Sequence, residues 1–254
     1  PKPTPQIPYV IFTALEDNSS IGLSKLSTNQ TMEYSIDTTT WNTFDTSTNN
    51  IPLNNGDKVY VRGKLNTDNT NSNYTKFKMS GKIAASGNCN AIWNYEDLNA
   101  PLKQYCGYLM FKGCTSLTTA PELPATDLTE GCYYMMFYDC TSLTTAPDLS
   151  ATTLAEYCYY QMFKNCTSLT TAPKLPATTL AKSCYSSMFT NCTSLTEAPE
   201  LPATTLADYC YMNMFVVCTS LTTAPKLPAT ELTEGCYCNM FNGCTLLTTA
   251  PELP

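Results

Sequence analysis

The chain of 254 residues contains no histidine. Imidazole is the usual general base for serine and cysteine nucleophiles, and it is a frequent zinc ligand, so enzymes and metal sites of these kinds are excluded. A pair of carboxylates can still hydrolyse a glycoside without histidine. We therefore expect no catalytic, cofactor-binding or metal-binding site that depends on histidine, and we expect no cofactor.

Arginine is almost absent as well, since Arg62 is the only one in the chain. Residues 106–254 carry five lysines and twelve acidic residues, whereas residues 1–105 have no net charge. An acidic surface repels phosphate backbones, so nucleic acid is not an expected partner. No run of 18 apolar residues occurs, and the sequence therefore predicts no transmembrane segment.

The chain does contain a repeat of 26 residues, which begins at Cys106 and recurs five times in full and once in truncated form. One copy, from Cys158 to Ser183, reads CYYQMFKNCTSLTTAPKLPATTLAKS. A period of this length is typical of stacked supersecondary units. Apolar residues from Leu154 onward follow one face of an α-helix, and the TSLTT segment favours a short parallel strand. The predicted fold is thus an α/β solenoid with a parallel sheet and convex helices.

The motif FxxCTSLTTAPxLP, found within residues 106–254, resembles the bacterial leucine-rich repeats of the BspA-like type. The segment EYSIDTTTW, at residues 33–41, resembles a hairpin of small β-sandwich domains that precede such repeats. The first resemblance implies a leucine-rich repeat fold and a location outside the cell, on a bacterial surface. It also implies a protein or glycan partner, including one derived from a host.

Four segments are predicted along the chain. They are a proline-rich linker at 1–8, a β-sandwich at 9–76, a cap on the repeats at 77–105 and the repeat array at 106–254. Alternating apolar residues between turn signals predict strands within the second segment. These strands are Tyr9–Leu15, Thr31–Ile36, Trp41–Phe44, Lys58–Gly63 and Tyr74–Met79. The first residues have neither an initiator methionine nor a signal peptide, which indicates a mature or trimmed chain without its targeting segment.

Three classes of function are compatible with this pattern. The chain is a non-catalytic surface binding or adhesion protein, a structural spacer that displays other domains, or a carboxylate-based enzyme acting on glycans. The acidic residues mostly follow the repeat, whereas a catalytic pair should break it. We therefore expect a binding protein and no enzyme activity, and the spacer remains the alternative.

The candidate ligand surface is formed by two columns of side chains, because residues beside the inward leucine and alanine should face outward. Its members are Thr119, Thr145, Thr171, Glu197, Thr223, Thr249, Asp148, Lys174, Glu200 and Lys226. The charged column alternates in sign from position 148. Its members could therefore pair between neighbouring repeats, so a solubilising charge ladder is the alternative to a ligand surface.

The chain has 14 cysteines, but their spacing lacks the paired CxxC pattern of zinc sites. Two cysteine columns lie on the apolar face of the repeat, and we expect them to be buried and reduced. Cys238 instead occupies the column of Tyr108, Tyr134 and Tyr160, which is predicted to face outward. Cys238 is therefore the candidate reactive thiol, and the exposed tyrosines are either ordinary surface residues or a platform for a sugar or protein.

Overall fold

The computed structural model describes residues 7–48 and 50–253. Most of the predicted linker at 1–8 lies outside the described residues. The described elements, in chain order, are β1 (Val10–Ala14), β2 (Ser19–Lys25), β3 (Gln30–Ser35), β4 (Asn42–Thr43), β5 (Ile51–Leu53), β6 (Lys58–Leu65), β7 (Lys76–Ser80), β8 (Ile83–Ser86), α1 (Asn90–Asn94) and β9 (Leu117–Thr119).

The strands form two sheets. The larger has the order β4-β3-β6-β1-β8-β9 and the smaller has the order β5-β2-β7. The sheets pack through aromatic residues, because Phe12 of β1 lies 5.3 Å from Phe77 of β7 and Phe44 lies 6.2 Å from Phe77, measured between ring centroids. This packing is compatible with the predicted β-sandwich. Strands β2, β5 and β8 were missed by the prediction. The proline within β5 is tolerated because β5 is an edge strand.

The first repeat continues directly from the larger sheet. Strand β8 pairs antiparallel with β1 and parallel with β9, which belongs to the repeat. The amide of Ile83 also donates to the carbonyl oxygen of Ser116 at 2.9 Å. The residues before the repeats therefore form the surface on which the first repeat is stacked.

The predicted α/β solenoid with convex helices is wrong, and so is the leucine-rich repeat interpretation. Within the described residues the only α-helix is α1, which has five residues and precedes the repeats. In the described part of the repeats, β9 is the only strand, and the later copies have isolated parallel bridges in its place. The chain is thus mostly β-structure and turns, with one mixed and one antiparallel sheet.

Backbone geometry explains why the predicted helices do not form. Tyr157, Gln161 and Asn165 have φ angles of 58°, 52° and 64°, so the left-handed conformation recurs every four residues. A right-handed helix of L-amino acids has no such residues in its interior. The segment is instead a series of tight turns.

Two sets of backbone hydrogen bonds hold these turns together. Tyr160 N donates to Tyr157 O at 3.2 Å, which closes a turn within one repeat. Phe163 N donates to Met188 O at 3.0 Å, which joins that repeat to the next. The two kinds of bond alternate along the segment. The 26-residue period therefore stacks the repeats through their backbone, without helices.

The interior is continuous from the β-sandwich into the repeats. Phe77 of β7 stacks on Phe111 at 5.0 Å, and Phe111 stacks on Phe137 at 5.4 Å. The apolar face inferred from the sequence is nevertheless the buried one, because Cys158 and Met162 have no exposed surface. A column of stacked rings thus connects the two parts of the molecule.

No helix among the described residues combines the length and apolar character needed to cross a membrane.

Candidate functional site

The predicted hydroxyl column is accessible over most of its length. Thr145, Thr171, Glu197 and Thr223 are all exposed, as is Thr249. Parallel bridges join Thr145 to Thr171 and Glu197 to Thr223, so equivalent residues lie side by side in neighbouring repeats. Bridged strands are about 4.8 Å apart, which sets the spacing of the side chains.

Thr119, the first member of that column, differs from the others. It is half-buried, and its Oγ1 donates a hydrogen bond to Ala85 O at 3.1 Å. The column one residue earlier is also engaged internally, because Thr170 Oγ1 donates to Thr144 O at 3.3 Å. No such side-chain hydrogen bond involves Thr145 or Thr171 within the described residues. The accessible hydroxyls therefore begin at Thr145.

The predicted charge column lies at the proline-rich corner of each repeat, where clefts open between neighbours. Lys174 and Glu200 line one cleft of about 490 Å³. Asp148 lines another of about 260 Å³ together with Glu122. Lys226 is exposed, but it lines neither of these clefts. The structure therefore brings together Lys174 and Glu200, which come from consecutive repeats.

The charges of this column do not form close ion pairs. The ion pairs found in the described residues join Arg62 to Glu33, Lys64 to Glu96 and Lys82 to Glu16, all before the repeats. The alternative prediction, a ladder of opposite charges paired between repeats, is therefore not supported by direct contacts between these side chains. Lys174 and Glu200 share a cleft with both charges available to a partner.

A second surface, the tyrosine cleft, was only partly anticipated. Tyr105, Tyr108, Tyr134, Tyr157 and Asn71 line this cleft of about 220 Å³. Tyr108 and Tyr134 are half-buried rather than exposed, and their rings pack against each other in a tilted arrangement with centroids 5.1 Å apart. Burial raises the pKa of Tyr134 to about 12, so its hydroxyl stays protonated at neutral pH.

Large and small residues alternate in the sequence at this cleft, and this alternation could have predicted it. The column of Tyr105, which lies immediately before the first cysteine of each repeat, reads Tyr, Gly, Tyr, Ser, Tyr, Gly along the chain. The Tyr105 ring lies over Gly131, where an added Cβ would come within 2.4 Å of the ring. Tyr105 also donates a hydrogen bond to Glu130 Oε1 at 3.1 Å. Large and small residues therefore alternate from one repeat to the next at this surface.

The cysteines are all described, and none forms a disulfide. Twelve of them are buried, Cys244 is half-buried and Cys238 is exposed. The candidate reactive thiol therefore lies at the surface, and its reactivity remains a prediction. Among the described residues, no group of three His, Cys, Asp or Glu side chains is placed to hold a metal ion.

Comparisons with protein-family models, with curated proteins and with solved structures gave no match, so they show no family for this chain.

Proposed function

We propose that this chain is a non-catalytic binding protein of a bacterial cell surface, and that the repeats recognise a protein partner. The observation that carries the proposal is the cleft in which Lys174 and Glu200 lie without an ion pair between them. The resemblance to BspA-like surface proteins supports the location and the binding role. The leucine-rich repeat fold of that family forms no part of the proposal.

The cleft has the properties of a prepared contact surface. Its walls include Pro173, Pro176 and Pro199, whose rings have little conformational freedom to lose on binding. Lys174 and Glu200 place charges of both signs between these walls. Complementary charges on a partner increase the specificity and the rate of association more than the affinity itself.

A protein partner fits this surface better than a uniform polymer does. The columns offer hydroxyls, carboxylates and ammonium groups at a repeated spacing, and Glu197 interrupts the threonines in one repeat. An extended peptide carries varied side chains at regular intervals, and can therefore match such a pattern. A glycan partner remains an outcome of the test below.

The test is a binding screen of the whole chain against extracellular matrix proteins and glycans. The whole chain is required because a fragment that begins at Ile83 would leave β8 without its partner β1. Any partner found is then titrated against the double variant Lys174→Glu and Lys226→Glu. We expect binding to weaken about tenfold, mainly through slower association, because the reversed charges repel a partner that the native charges attract.

The matched control is the double variant Lys58→Glu and Lys78→Glu, which changes the net charge equally at exposed lysines of the β-sandwich. Equal affinities of the two double variants for every partner would show that the charge column is not the site. A screen without any partner would instead favour the structural spacer.

A further inference from the structure

The tyrosine cleft is bordered by aromatic rings in two orientations. Tyr105 makes an interplanar angle of 80° with Tyr108, and Tyr157 makes one of 73° with Tyr160. The volume of about 220 Å³ lies below the roughly 300–1,000 Å³ of most small-molecule sites. The cleft therefore suits a side chain of a larger partner better than a whole small molecule.

The polar groups of the cleft include three hydroxyls that can donate hydrogen bonds to a partner. The hydroxyls of Tyr108, Tyr134 and Tyr157 bond to no other group within the described residues. They are reachable by water, unlike the fully buried, unpaired hydroxyls of Tyr133 and Tyr185. Burial of the rings raises the pKa of Tyr108 and Tyr134, so these two hydroxyls stay protonated and can donate.

We propose that the tyrosine cleft binds a proline-rich segment of a partner protein in the polyproline II conformation. This helix has no internal hydrogen bonds and proline has no N–H, so the segment offers free carbonyl oxygens to the hydroxyls of the cleft. Grooves lined by aromatic residues bind such segments, because the preformed helix loses little conformational freedom.

The spacing of the rings matches one turn of this helix. Neighbouring ring centroids lie 5.1 Å apart from Tyr108 to Tyr134, and 4.7 Å apart from Tyr134 to Tyr160. Two repeats therefore advance the column by at most about 10 Å, close to the roughly 9.3 Å of three polyproline II residues. Because Tyr105 and Tyr157 are also two repeats apart, every third residue of the segment can contact an equivalent tyrosine.

One end of the cleft is acidic. Glu130 is half-buried and accepts a hydrogen bond from the Tyr105 hydroxyl, and it forms no ion pair within the described residues. Asp68 lies close to the same tyrosine, because it accepts a hydrogen bond from Gln104 N at 3.0 Å. Complementary charges fix the register of a partner, so a basic residue of the segment belongs next to Tyr105.

The lysines around the cleft are engaged elsewhere or lie at its other end. The ammonium of Lys25 lies 4.0 Å from the centroid of the Tyr74 ring, and Lys103 lines a different cavity, next to α1. Lys182 is exposed, and its carbonyl oxygen accepts a hydrogen bond from Tyr157 N. The positive charge of Lys182 thus lies at the end opposite the two carboxylates.

The test is a titration of the whole chain with a synthetic peptide, observed by NMR of ¹³C-labelled tyrosine rings. The peptide has about nine residues, or three turns, with one lysine at its end and proline at most other positions. Two control peptides carry glutamate in place of the lysine, or glycine in place of the prolines. Chitotriose is the glycan probe, and Tyr134→Phe assigns the ring resonances of Tyr134.

We expect the lysine peptide to shift the Tyr134 resonances in a saturable way at concentrations up to about 1 mM. The glutamate peptide should bind about tenfold more weakly, because the carboxylates next to Tyr105 repel it. The glycine peptide should also bind about tenfold more weakly, because it has no preformed helix. No shift with the lysine peptide, or a saturable shift with chitotriose alone, would overturn the proposal.

A matched pair of variants locates the bound peptide. Tyr157→Ser should weaken binding about tenfold, and the fold tolerates it because Ser183 occupies the same column with a φ of 52°. Tyr209→Ser makes the same change in that column outside the cleft, and it should leave binding unchanged. So should Lys174→Glu, because the charge column is a separate surface and this site goes beyond the proposed function. Equal weakening by Tyr157→Ser and Tyr209→Ser would contradict the proposal.

Discussion

The thiol of Cys166 donates a hydrogen bond to the carbonyl oxygen of Phe137, which lies 3.1 Å away in the preceding repeat. The same relationship recurs through the stack, joining Cys140 to Phe111, Cys192 to Phe163, Cys218 to Phe189 and Cys244 to Phe215. This cysteine column is therefore more than apolar filling. It adds a side-chain bond to the backbone bonds that join neighbouring repeats.

The first prediction concerns this thiol bond. Replacing Cys166 with alanine should lower the free energy of unfolding more than the same change at Cys89, which is equally buried but makes no thiol hydrogen bond. The difference should be about 0.5–1 kcal/mol, because a thiol is a weak donor. Urea unfolding of the two variants measures it. Equal losses would show that the bond to Phe137 adds no stability.

The second prediction concerns alkaline pH. Removal from water raises the pKa of eleven buried thiols, that of Cys114 to about 12. The eleven are Cys89, Cys106, Cys114, Cys132, Cys140, Cys158, Cys166, Cys184, Cys192, Cys210 and Cys218. In the unfolded chain a thiol ionises near pH 8.5, so above that pH the unfolded state loses protons that the folded state keeps.

Stability should therefore be constant at neutral pH and fall steeply above about pH 8.5. Once the thiols of the unfolded chain are ionised, each buried thiol lowers the free energy of unfolding by up to about 1.4 kcal/mol per pH unit, so a few of them together approach the whole stability of a domain. Urea unfolding between neutral pH and about pH 10, with a reducing agent present, measures this loss. A free energy of unfolding that does not change over this range would contradict burial of the thiols.

The third prediction separates turns from helices at Gln161. Because its φ is 52°, glycine should be tolerated there at least as well as alanine, which pays about 1 kcal/mol in the left-handed region. In a helix the order would be reversed, since glycine is about 1 kcal/mol worse than alanine. Thermal unfolding of Gln161→Gly and Gln161→Ala gives the sign. A less stable glycine variant would favour the helix.

The fourth prediction concerns Cys238. Under native conditions a thiol reagent should modify one cysteine quickly, because Cys238 is exposed and the other thiols are buried or half-buried. Cys238→Ser should remove this fast phase. Cys244→Ser is the control, and it should leave the phase intact. Several fast groups in the native protein would contradict the burial of the two cysteine columns.

The sequence predicted which residues are buried better than it predicted the elements that bury them. Cys158, Met162 and Cys166 were assigned to an apolar helix face because they recur every four residues. Turns that reverse at Tyr157, Gln161 and Asn165 also place every fourth residue inside, so the two structures share one pattern. Neither Tyr157 nor Gln161 is a residue that marks a left-handed position.

The strands before the repeats were easier to predict, because alternation with a period of two has no comparable competitor. β6 alternates buried and partly exposed residues over its whole length, and it was predicted. β2 was missed because two of its buried positions are occupied by Ser19 and Gly22. A polar residue and a small residue at buried positions give no alternation of apolar and polar side chains.

Some features of the candidate surfaces could likewise be predicted from the sequence, and others could not. The exposure of Lys174 and Glu200 follows from the repeat, and was predicted. The half-burial of Tyr108 and Tyr134 depends on how their rings pack between neighbouring repeats, and it was not predicted. The alternation of large and small residues around Gly131 was visible in the sequence, and it now explains the tyrosine cleft.

The central claim is that each repeat joins the next through the backbone of its turns. Scalar couplings across hydrogen bonds, measured by NMR on the deuterated whole chain, identify the acceptor of each amide directly. The structure predicts a coupling between Phe163 N and the carbonyl carbon of Met188, one repeat later. A coupling from Phe163 N to the carbonyl carbon of Tyr159, as an α-helix requires, would contradict it.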